Sequence, residues 1–392
     1  MKEKADVVII GGGVASCSCA YYLAKKGVKN IVLVEKEYIT AGGTGRCAAC
    51  FLTQWDTTLK AQMVEYSIEK FKSLGEKTGY GDLEMSQHGY LTTTYTEEQQ
   101  TEFRKRMQMY REVGIEMEEL TPQECKEKAP YLNTEGILSG FYTKQDGHIN
   151  PFKLTFAFQK GAQDLGVEFA IHTEVIDLQT EDGKVSAVVT NRGTIQTKLV
   201  INATEPKTKY IGRMVGMYHP VEPKKHQIVL TEPMEYMGAP FISSYDRDYY
   251  IHQTLHGNFM LGMNVDPYTP MGMIDEEEDR EFLEAVAVKA TKEVPALTDL
   301  RVIRHWAGHY GMTPDMNIIL GPVEEIEGYL LCVGASKSMM MSPAIGVLIS
   351  EMVTGVPEEE SELPFVHREE IGIGRFEDYS VNPGGSAVIL ND

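Results

Sequence analysis

Residues 5–35 contain the pattern that most limits how this chain can fold. A short apolar run, Ala5–Ile10, is followed by three glycines, a stretch of helical character up to Lys26, and a second apolar run, Asn30–Val34. Continuous apolar runs of this length are typical of strands that are buried on both faces of a parallel sheet. The sequence therefore predicts a strand–helix–strand unit at the start of an α/β domain.

The glycines after the first strand predict a dinucleotide-binding site. Exposed amides at a helix N-terminus bind a pyrophosphate only when no side chain blocks its approach, and Gly11 and Gly13 leave that approach open. Ser16 stands where the usual fingerprint has its third glycine, and it is still small. Glu35 follows the second strand about 20 residues after Gly13, where an acidic side chain can accept hydrogen bonds from the ribose hydroxyls.

The rest of the chain combines further α/β segments with a region that predicts an antiparallel sheet. Helical periodicity predicts helices at 57–77, 97–113, 152–165 and 342–354. Apolar runs predict strands at 86–95, 168–178, 185–189, 199–203 and 329–334. Between about 209 and 306, alternating runs rich in Tyr and Met predict an antiparallel sheet, with strands at 227–230, 249–252 and 258–261.

These patterns predict an α/β fold with a Rossmann-like, discontinuous dinucleotide-binding domain and an interleaved antiparallel-sheet domain. We expect residues 1–85, 145–208 and 307–392 to form the first domain. Residues 86–144 and 209–306 are expected to form the second domain, which would bind the substrate.

Composition excludes several classes of protein. The 37 Lys and Arg residues against 57 Asp and Glu residues give a net charge of −20, which argues against a nucleic-acid-binding protein. The acidic run 275–279 is expected to be a solvated loop. Six cysteines in a chain of 392 residues indicate reduced thiols, and no apolar stretch is long enough for a transmembrane helix. We therefore expect a cytoplasmic protein.

The stretch Ala41–Cys50 favours FAD over a nicotinamide cofactor. It follows the second strand and consists mostly of small residues, so its backbone amides can approach a second cofactor moiety. Arg46 can offset phosphate charge there. A nicotinamide enzyme has no need of such a loop.

Several segments together resemble a known family, the D-amino-acid-oxidase-like FAD-dependent amine oxidoreductases. The likeness is greatest to the sarcosine oxidase β subunit and to proline and hydroxyproline dehydrogenase subunits. Besides the N-terminal fingerprint, the segments are 43–46, 87–91, 146–151, 200–203, 306–308, 313–315, 319–321 and 342–346.

The resemblance implies FAD in an extended pose, with its adenine near Glu35, Lys36 and Val175. The isoalloxazine would lie between the 43–50 loop and the 334–341 segment. The residues that the resemblance implies for FAD binding are Gly11, Gly13, Val14, Ala15, Glu35, Lys36, Gly43, Thr44, Gly45, Arg46, Ala48, Ala49, Cys50, Val175, Ala203, Thr204, Gly308, Gly334, Ser338, Met339, Met340 and Met341.

The chain departs from the family pattern at three glycine positions, which here are Glu205, Lys337 and Met339. These changes fit family drift, weakened cofactor binding, or a role of Lys337 in polarising the flavin or pairing with a substrate carboxylate. Because a buried charge needs a partner, one hypothesis is that Lys337 and Glu205 face each other across the cofactor, and the alternative is an exposed lysine that is not coupled to Glu205.

Other features bear on the attachment of FAD and on the electron acceptor. Covalent relatives attach FAD through a Cys shortly before Thr-Pro-Asp, and this chain has Ala307-Gly308-His309 there, so noncovalent FAD is expected. His148 and His309 leave a histidyl link open. Some oxidases of the family carry a Lys where Met260 stands, which favours a dehydrogenase that passes electrons to a partner subunit. The pair Cys47 and Cys50 lacks a second pair, so we expect no metal site.

The candidate substrate residues are aromatic or cationic and lie on or near the predicted antiparallel sheet: Tyr245, Arg247, Tyr249, Tyr250, His252 and Arg304. Of these, His252 and Tyr250, together with Lys337, are the candidate catalytic residues. The predicted function is oxidation of the C–N bond of a small amine or amino acid by hydride transfer to flavin, in a homo- or hetero-oligomer. The alternatives are oxidation of a 2-hydroxy acid or another alcohol, with His252 or His226 as base, and an auxiliary flavoprotein subunit with little activity of its own.

Overall fold

The computed structural model describes residues 2–376. Residues 377–392, which the predicted dinucleotide-binding domain included, lie outside the described residues. The helices, in chain order, are α1 (Val14–Lys25), α2 (Thr58–Lys77), α3 (Glu97–Glu112), α4 (Pro122–Lys128), α5 (Pro151–Asp164), α6 (Thr208–Met214), α7 (Arg280–Glu293), α8 (Ser342–Thr354) and α9 (Arg368–Ile371). The strands are β1 (Val7–Ile10), β2 (Ile31–Val34), β3 (Cys50–Phe51), β4 (Tyr90–Thr94), β5 (Glu118–Leu120), β6 (Ser139–Thr143), β7 (Gly147–His148), β8 (Glu168–Ala170), β9 (Val175–Glu181), β10 (Lys184–Thr190), β11 (Gly193–Gln196), β12 (Val200–Asn202), β13 (Glu222–Pro233), β14 (Phe241–Ser244), β15 (Tyr249–Gln253), β16 (Asn258–Gly262), β17 (Val302–Met312), β18 (Ile319–Pro322) and β19 (Tyr329–Val333).

The predicted parallel sheet is present as a six-stranded sheet in the order β18-β19-β12-β1-β2-β8. All neighbouring strands in it are parallel except the edge pair β18 and β19. Alternate side chains of β1 join different cores: Ile9 packs with α1, α5 and α8, whereas Val8 and Ile10 pack with the small sheet β11-β10-β9. Burial on both faces explains why these strands are continuous apolar runs.

The second large sheet has eight strands in the order β17-β13-β16-β15-β14-β4-β6-β5. It is antiparallel as predicted except for β4 and β14, which pair in parallel. Strand β17 spans 302–312 and so crosses the predicted domain boundary at 306/307. The exact division into two domains stays a prediction.

Helix ends agree with the predicted ends because their caps are local sequence signals. The side chains of Thr57, Thr96 and Asn150 accept hydrogen bonds from first-turn amides of α2, α3 and α5. Gly355 ends α8 with a φ of +71°, a conformation that glycine adopts without strain. None of the helices described within 2–376 is long and apolar enough to cross a bilayer.

The single strand predicted at 168–178 is wrong, because two strands in different sheets occupy this segment. β8 joins the six-stranded sheet, and β9 joins the three-stranded sheet β11-β10-β9. Between them, His172 has a φ of +52° and the Thr173 amide donates to the Glu35 carbonyl at 2.8 Å. The turn carries the chain around the end of β2, and an apolar pattern alone does not reveal such a turn.

Candidate active site

A cavity of about 880 Å³, called the main cavity below, lies at the carboxyl ends of the parallel strands. Ile10, Val34 and Ala203 line it from the six-stranded sheet, and Tyr90 and Tyr250 line it from the eight-stranded sheet. The carboxyl edge of an open α/β sheet is where such folds bind cofactors. The volume is near the upper end of the roughly 300–1,000 Å³ that is typical of small-molecule and cofactor sites.

The glycine turn at one end of the main cavity can accept only glycine at its first position. Gly11 has a φ of +116°, and a Cβ there would lie 2.6 Å from the Ala203 carbonyl oxygen. A Cβ on Gly12 would lie 2.7 Å from the Glu35 side chain, so the turn packs directly against that acid. Burial raises the pKa of Glu35, whose carboxylate accepts from the Glu37 amide at 2.8 Å. This geometry matches a dinucleotide turn with an acid at the ribose position.

Two further glycines bring the 43–46 turn against strand β17. A Cβ on Gly43 would lie 2.6 Å from the His309 carbonyl oxygen. A Cβ on Gly308 would lie 2.7 Å from the Cβ of Arg46. The cavity wall therefore depends on these glycines for its shape, and the size and dinucleotide turn of the cavity fit FAD.

The structure brings most of the sequence-predicted FAD residues into the wall of the main cavity. Those that line it are Gly11, Gly13, Glu35, Lys36, Gly43, Thr44, Arg46, Ala48, Ala49, Cys50, Val175, Ala203, Thr204, Gly308, Ser338, Met339 and Met340. Val14, Ala15, Gly45, Gly334 and Met341 are not in the wall. Gly45 packs against the Thr40 carbonyl, and Val14 donates its amide to the Thr44 hydroxyl at 3.1 Å, so these residues support the wall from behind.

Lys337 and Glu205 form no direct ion pair, and their facing each other across the cofactor stays a prediction. The Glu205 carboxylate accepts from the amides of Gly334 at 2.8 Å and Gly311 at 3.4 Å, and from the Ser338 hydroxyl. Lys337 Nζ instead donates to two backbone carbonyls, those of Met316 and Ala335, each at 2.9 Å. Both charged groups line the main cavity, and the hydrogen-bond partners of each are neutral groups.

Glu205 and the two residues immediately before Lys337 have left-handed backbones. Glu205 has a φ of +52°, Ala335 of +45° and Ser336 of +70°. Such conformations cost about 1–3 kcal/mol each for residues with a side chain, and they concentrate at functional sites. Glycine in the family pattern would relieve the strain at Glu205, so this chain retains a carboxylate there at a cost in stability.

The other end of the main cavity has an aromatic wall, which we call the aromatic end. Its rings pack in sequence: Tyr90 on Phe241 at 4.8 Å, Phe241 on Tyr250 at 5.8 Å, and Tyr250 on His226 at 5.6 Å between centroids. His226 Nε2 lies 2.7 Å from the Tyr250 hydroxyl oxygen. Burial lowers the pKa of His226 to about 4, so the imidazole is neutral near pH 7.

Three cationic side chains line the main cavity close to this end: Lys60, Arg106 and Lys337. Lys337 is 2% exposed and its Nζ lies 4.7 Å from the centre of the Trp55 ring. Sequence reasoning missed Trp55, Lys60 and Arg106. Helix α3, which carries Arg106, has the composition of a solvent-exposed helix, and no local signal shows that one of its residues reaches a cavity.

His252 does not line the main cavity. It lines a second cavity of about 540 Å³ together with His148, Met260 and Arg304. Its Nε2 lies 3.2 Å from the Met260 sulfur, and burial lowers its pKa well below the usual value. Burial also lowers the pKa of His148 to about 4.

The remaining candidate substrate residues divide between the cavities and the surroundings of the sheet. Tyr245 lines the main cavity, as Tyr250 does. Tyr249 lies instead in hydrogen-bonding distance of Thr93, and Arg247 pairs with Glu293 at 2.6 Å.

We predicted that the acidic run 275–279 is a solvated loop. This prediction is wrong in part, because three of its acidic side chains pair with cations. The Lys225 side chain is fully buried and pairs with Asp275 at 2.9 Å and Asp279 at 3.0 Å. Glu276 lines the main cavity and pairs with Arg46 at 3.3 Å. Asp275 and Asp279 therefore supply the counter-charge that the buried Lys225 ammonium needs, and Glu276 contributes to the cavity wall.

The two cysteines of the 43–50 loop, Cys47 and Cys50, are free thiols. Cys47 and Cys50 line the main cavity, and burial raises their pKa to about 11 and about 12 respectively. Within residues 2–376, all cysteines are free, and no group of three or more His, Cys, Asp or Glu residues could hold a metal ion.

Comparison with known proteins identifies the family. The family model described as "FAD dependent oxidoreductase" (DAO) matches residues 6–352. The chain belongs to this family. FAD is therefore the cofactor that the main cavity fits, and the predicted family resemblance and fold class are confirmed.

Individual relatives cover the chain almost completely. The L-proline dehydrogenase from P. horikoshii has a crystal structure that is 32% identical, with a TM-score of 0.89, covering 97% of this chain and 100% of that one. The sarcosine oxidase subunit beta from Arthrobacter sp. is 25% identical and covers 93% of this chain and 90% of its own. The mitochondrial dimethylglycine dehydrogenase from Rattus norvegicus is 28% identical over 90% of this chain, which spans only 43% of that longer protein.

Proposed function

We propose that this FAD oxidoreductase is a dehydrogenase that oxidises the C–N bond of a small amine or amino acid. The observation that carries the proposal is the continuity of the main cavity. It runs from the dinucleotide turn at Gly11 to the aromatic end, where the paired His226 and Tyr250 and three cations are found. A cofactor site and a small polar pocket with aromatic walls thus share one enclosure.

The residues that would hold FAD are those of the dinucleotide turn, Glu35 and the 43–50 loop. FAD supplies an acceptor for the hydride of the C–H bond next to the substrate nitrogen, and the protein supplies orientation and electrostatics. The aromatic wall excludes water from the aromatic end and offers apolar faces to the substrate carbon atoms. The predicted catalytic residue His252 lies outside the main cavity. We therefore propose that His226, which lines the main cavity, takes the role predicted for His252.

The pair of His226 and Tyr250 can control one proton at the Tyr250 oxygen. When the phenol donates to the neutral imidazole, the lone pairs of the phenol oxygen can accept a hydrogen bond from a substrate N–H group. Burial raises the pKa of Tyr250 well above its usual value, so the phenol keeps its proton near pH 7. Because neither partner is charged near pH 7, the pair places no counter-charge beside a substrate ammonium and is compatible with an amine that binds neutral.

The relatives support this substrate class and a partner-dependent electron path. Those compared above act, by name, on proline, sarcosine and dimethylglycine, and one of them is a subunit of a larger enzyme. We propose that electrons leave this chain to a partner subunit within an oligomer. Cytoplasmic location stays a prediction.

The proposal is tested by anaerobic bleaching of the bound flavin. The purified holoprotein is mixed with N-methyl amino acids, prolines, D-amino acids, simple amines and 2-hydroxy acids, and absorbance is followed at the flavin bands. At least one amine or amino acid should bleach the flavin at a much lower concentration than its hydroxy analogue. Bleaching by hydroxy acids alone would favour alcohol oxidation, and no bleaching by any compound would favour an auxiliary role.

A further inference from the structure

The three cations near the aromatic end differ in whether they have a counter-charge. Lys60 pairs with Asp56 at 2.9 Å, and Arg106 pairs with Glu102 at 3.1 Å. For Lys337, no carboxylate oxygen within residues 2–376 lies inside 4.0 Å of the ammonium nitrogen. Lys337 is thus the cation at this end that has no carboxylate in direct contact.

The surroundings of Lys337 hold its ammonium in place without neutralising it. Two of its three N–H groups are used by the carbonyls of Met316 and Ala335. The Trp55 ring lies beneath it, and the Trp55 indole nitrogen is buried with no hydrogen-bond partner among the described residues. One ammonium N–H and one indole N–H therefore remain available as donors.

The buried Lys337 ammonium lowers the stability of the protein unless an anion binds to it. A buried charge that lacks its partner destabilises a protein, and carbonyl dipoles offset only part of the desolvation penalty. The left-handed backbones of Ala335 and Ser336, immediately before Lys337, add further strain. The electrostatic cost is offset if a ligand brings a negative charge to the Lys337 ammonium in the main cavity.

We infer that Lys337 anchors a carboxylate of the substrate. The inference rests on the proposed function and narrows its substrate class to amino acids with a free carboxylate, as opposed to simple amines. The unused ammonium N–H donates to a carboxylate oxygen, a charge-assisted contact that fixes the orientation of the substrate.

Several charges face Lys337 from the elements packed around it. Lys60 lies on α2, Asp56 just before it, and Glu205 and Asp315 on the loops that follow β12 and β17. Burial, with a smaller contribution from the Lys60 ammonium, lowers the pKa of Lys337 to about 8. Affinity for a carboxylate should therefore fall as the pH rises above about 8, because the free protein then loses the anchoring charge.

The test measures ligand binding without turnover. Acetate and cyclopentanecarboxylate, and their carboxamides as uncharged controls, are titrated into the oxidised holoprotein, and the flavin spectrum reports binding. Lys337→Met should raise the Kd of both carboxylates roughly 10- to 100-fold, the loss expected for a hydrogen bond to a charged group. The carboxamides should change less than threefold, and Lys337→Arg should recover part of the carboxylate affinity.

Lys60→Met and Arg106→Met are the matched controls, because each removes a cation that already has a carboxylate partner. Each should raise the carboxylate Kd less than Lys337→Met does. An equal loss for carboxylates and carboxamides, or no loss in Lys337→Met, would overturn the inference. If Lys337→Met retains no FAD, the wild-type pH profile decides, and a flat acetate affinity from pH 7 to 9 would overturn it.

Failure of the inference and failure of the proposed function give different results. A holoprotein that an amino acid bleaches, but whose carboxylate Kd does not depend on Lys337, contradicts the inference alone. A holoprotein that binds carboxylates through Lys337, but that no amine or amino acid bleaches, contradicts the proposed function alone.

Discussion

His226 and Tyr250 lie on strands of one sheet that are separated by a third strand, and the His226 Nε2 atom is 2.7 Å from the Tyr250 hydroxyl oxygen. Both side chains line the main cavity. Because burial keeps His226 neutral, the pair can hold a single proton at the phenol oxygen without adding charge to the wall.

Tyr250→Phe should therefore slow anaerobic flavin bleaching roughly 100-fold or more, in the range that positioned proton-transfer groups contribute. FAD content should not change, because the ring and its packing against Phe241 remain. Tyr249→Phe is the matched control, since Tyr249 precedes Tyr250 and contacts Thr93 away from the main cavity. Equal bleaching rates in the two variants would remove the assigned role of Tyr250.

Glu35→Ala should weaken FAD binding by roughly 1–3 kcal/mol, the cost of leaving buried ribose hydroxyls without an acceptor. Titration of the apoprotein with FAD, followed by fluorescence quenching, measures the change. Asp164→Ala, an exposed acid at the end of α5, serves as the control for net charge. An unchanged affinity in Glu35→Ala would mean that the dinucleotide turn is misread.

The raised pKa of Asp146 predicts how the free energy of unfolding changes with pH. Burial raises its pKa to about 7, although Thr53 and Thr143 donate hydrogen bonds to it. Between pH 4 and 7 the folded protein keeps this proton and the unfolded chain does not. The contribution of Asp146 to the free energy of unfolding should therefore fall as the pH rises, by up to about 1.4 kcal/mol per pH unit.

The comparison with Asp146→Asn isolates this effect, because the amide does not titrate. Urea unfolding at pH 5 and pH 7.5, in equal excess FAD, should show the variant gaining stability relative to the wild type at the higher pH. Parallel profiles for the two proteins would show that Asp146 does not carry the raised pKa.

Electrons should leave to a dye or a partner protein faster than to oxygen. The position at which some oxidases of the family carry a Lys is Met260 here, whose sulfur contacts His252 in the second cavity. Steady-state turnover with an artificial dye should exceed peroxide production in air by a wide margin. Rapid stoichiometric peroxide formation would show an oxidase instead.

The dinucleotide half of the site could be predicted because its signals are local. Gly11 and Glu35 lie within one strand–helix–strand unit, and their spacing alone determines that they meet at the ends of β1 and β2. The closing of the 43–46 turn onto Gly308 could be expected only through the family resemblance. No periodicity in the sequence relates segments so distant in the chain.

The substrate half could be predicted only in part, because packing between distant elements assembles it. Arg106 comes from a helix with a mostly exposed composition, and Trp55 from a loop without a motif. His252 was a reasonable candidate because it alternates with Tyr250 on β15. Both side chains therefore belong to the same face of the strand, yet a two-residue offset places His252 in the second cavity.

Acid precipitation should release the yellow colour into the supernatant, since no cysteine stands at the position that covalent relatives use. His309 lines the main cavity and His148 lines the second one. Colour that stays with the precipitated protein would show a covalent link, and peptide mapping would then identify which histidine carries it.

The most direct measurement of the central claim is a stoichiometric anaerobic titration of the holoprotein with the amino acid that bleaches it best, followed by mass analysis of the product. The account predicts that one equivalent of substrate reduces one equivalent of bound FAD. The product should be an imine with two hydrogens fewer, or the carbonyl compound formed by its hydrolysis. Retained FAD that no amine or amino acid reduces, or a product oxidised at a carbon–oxygen bond, would contradict the account.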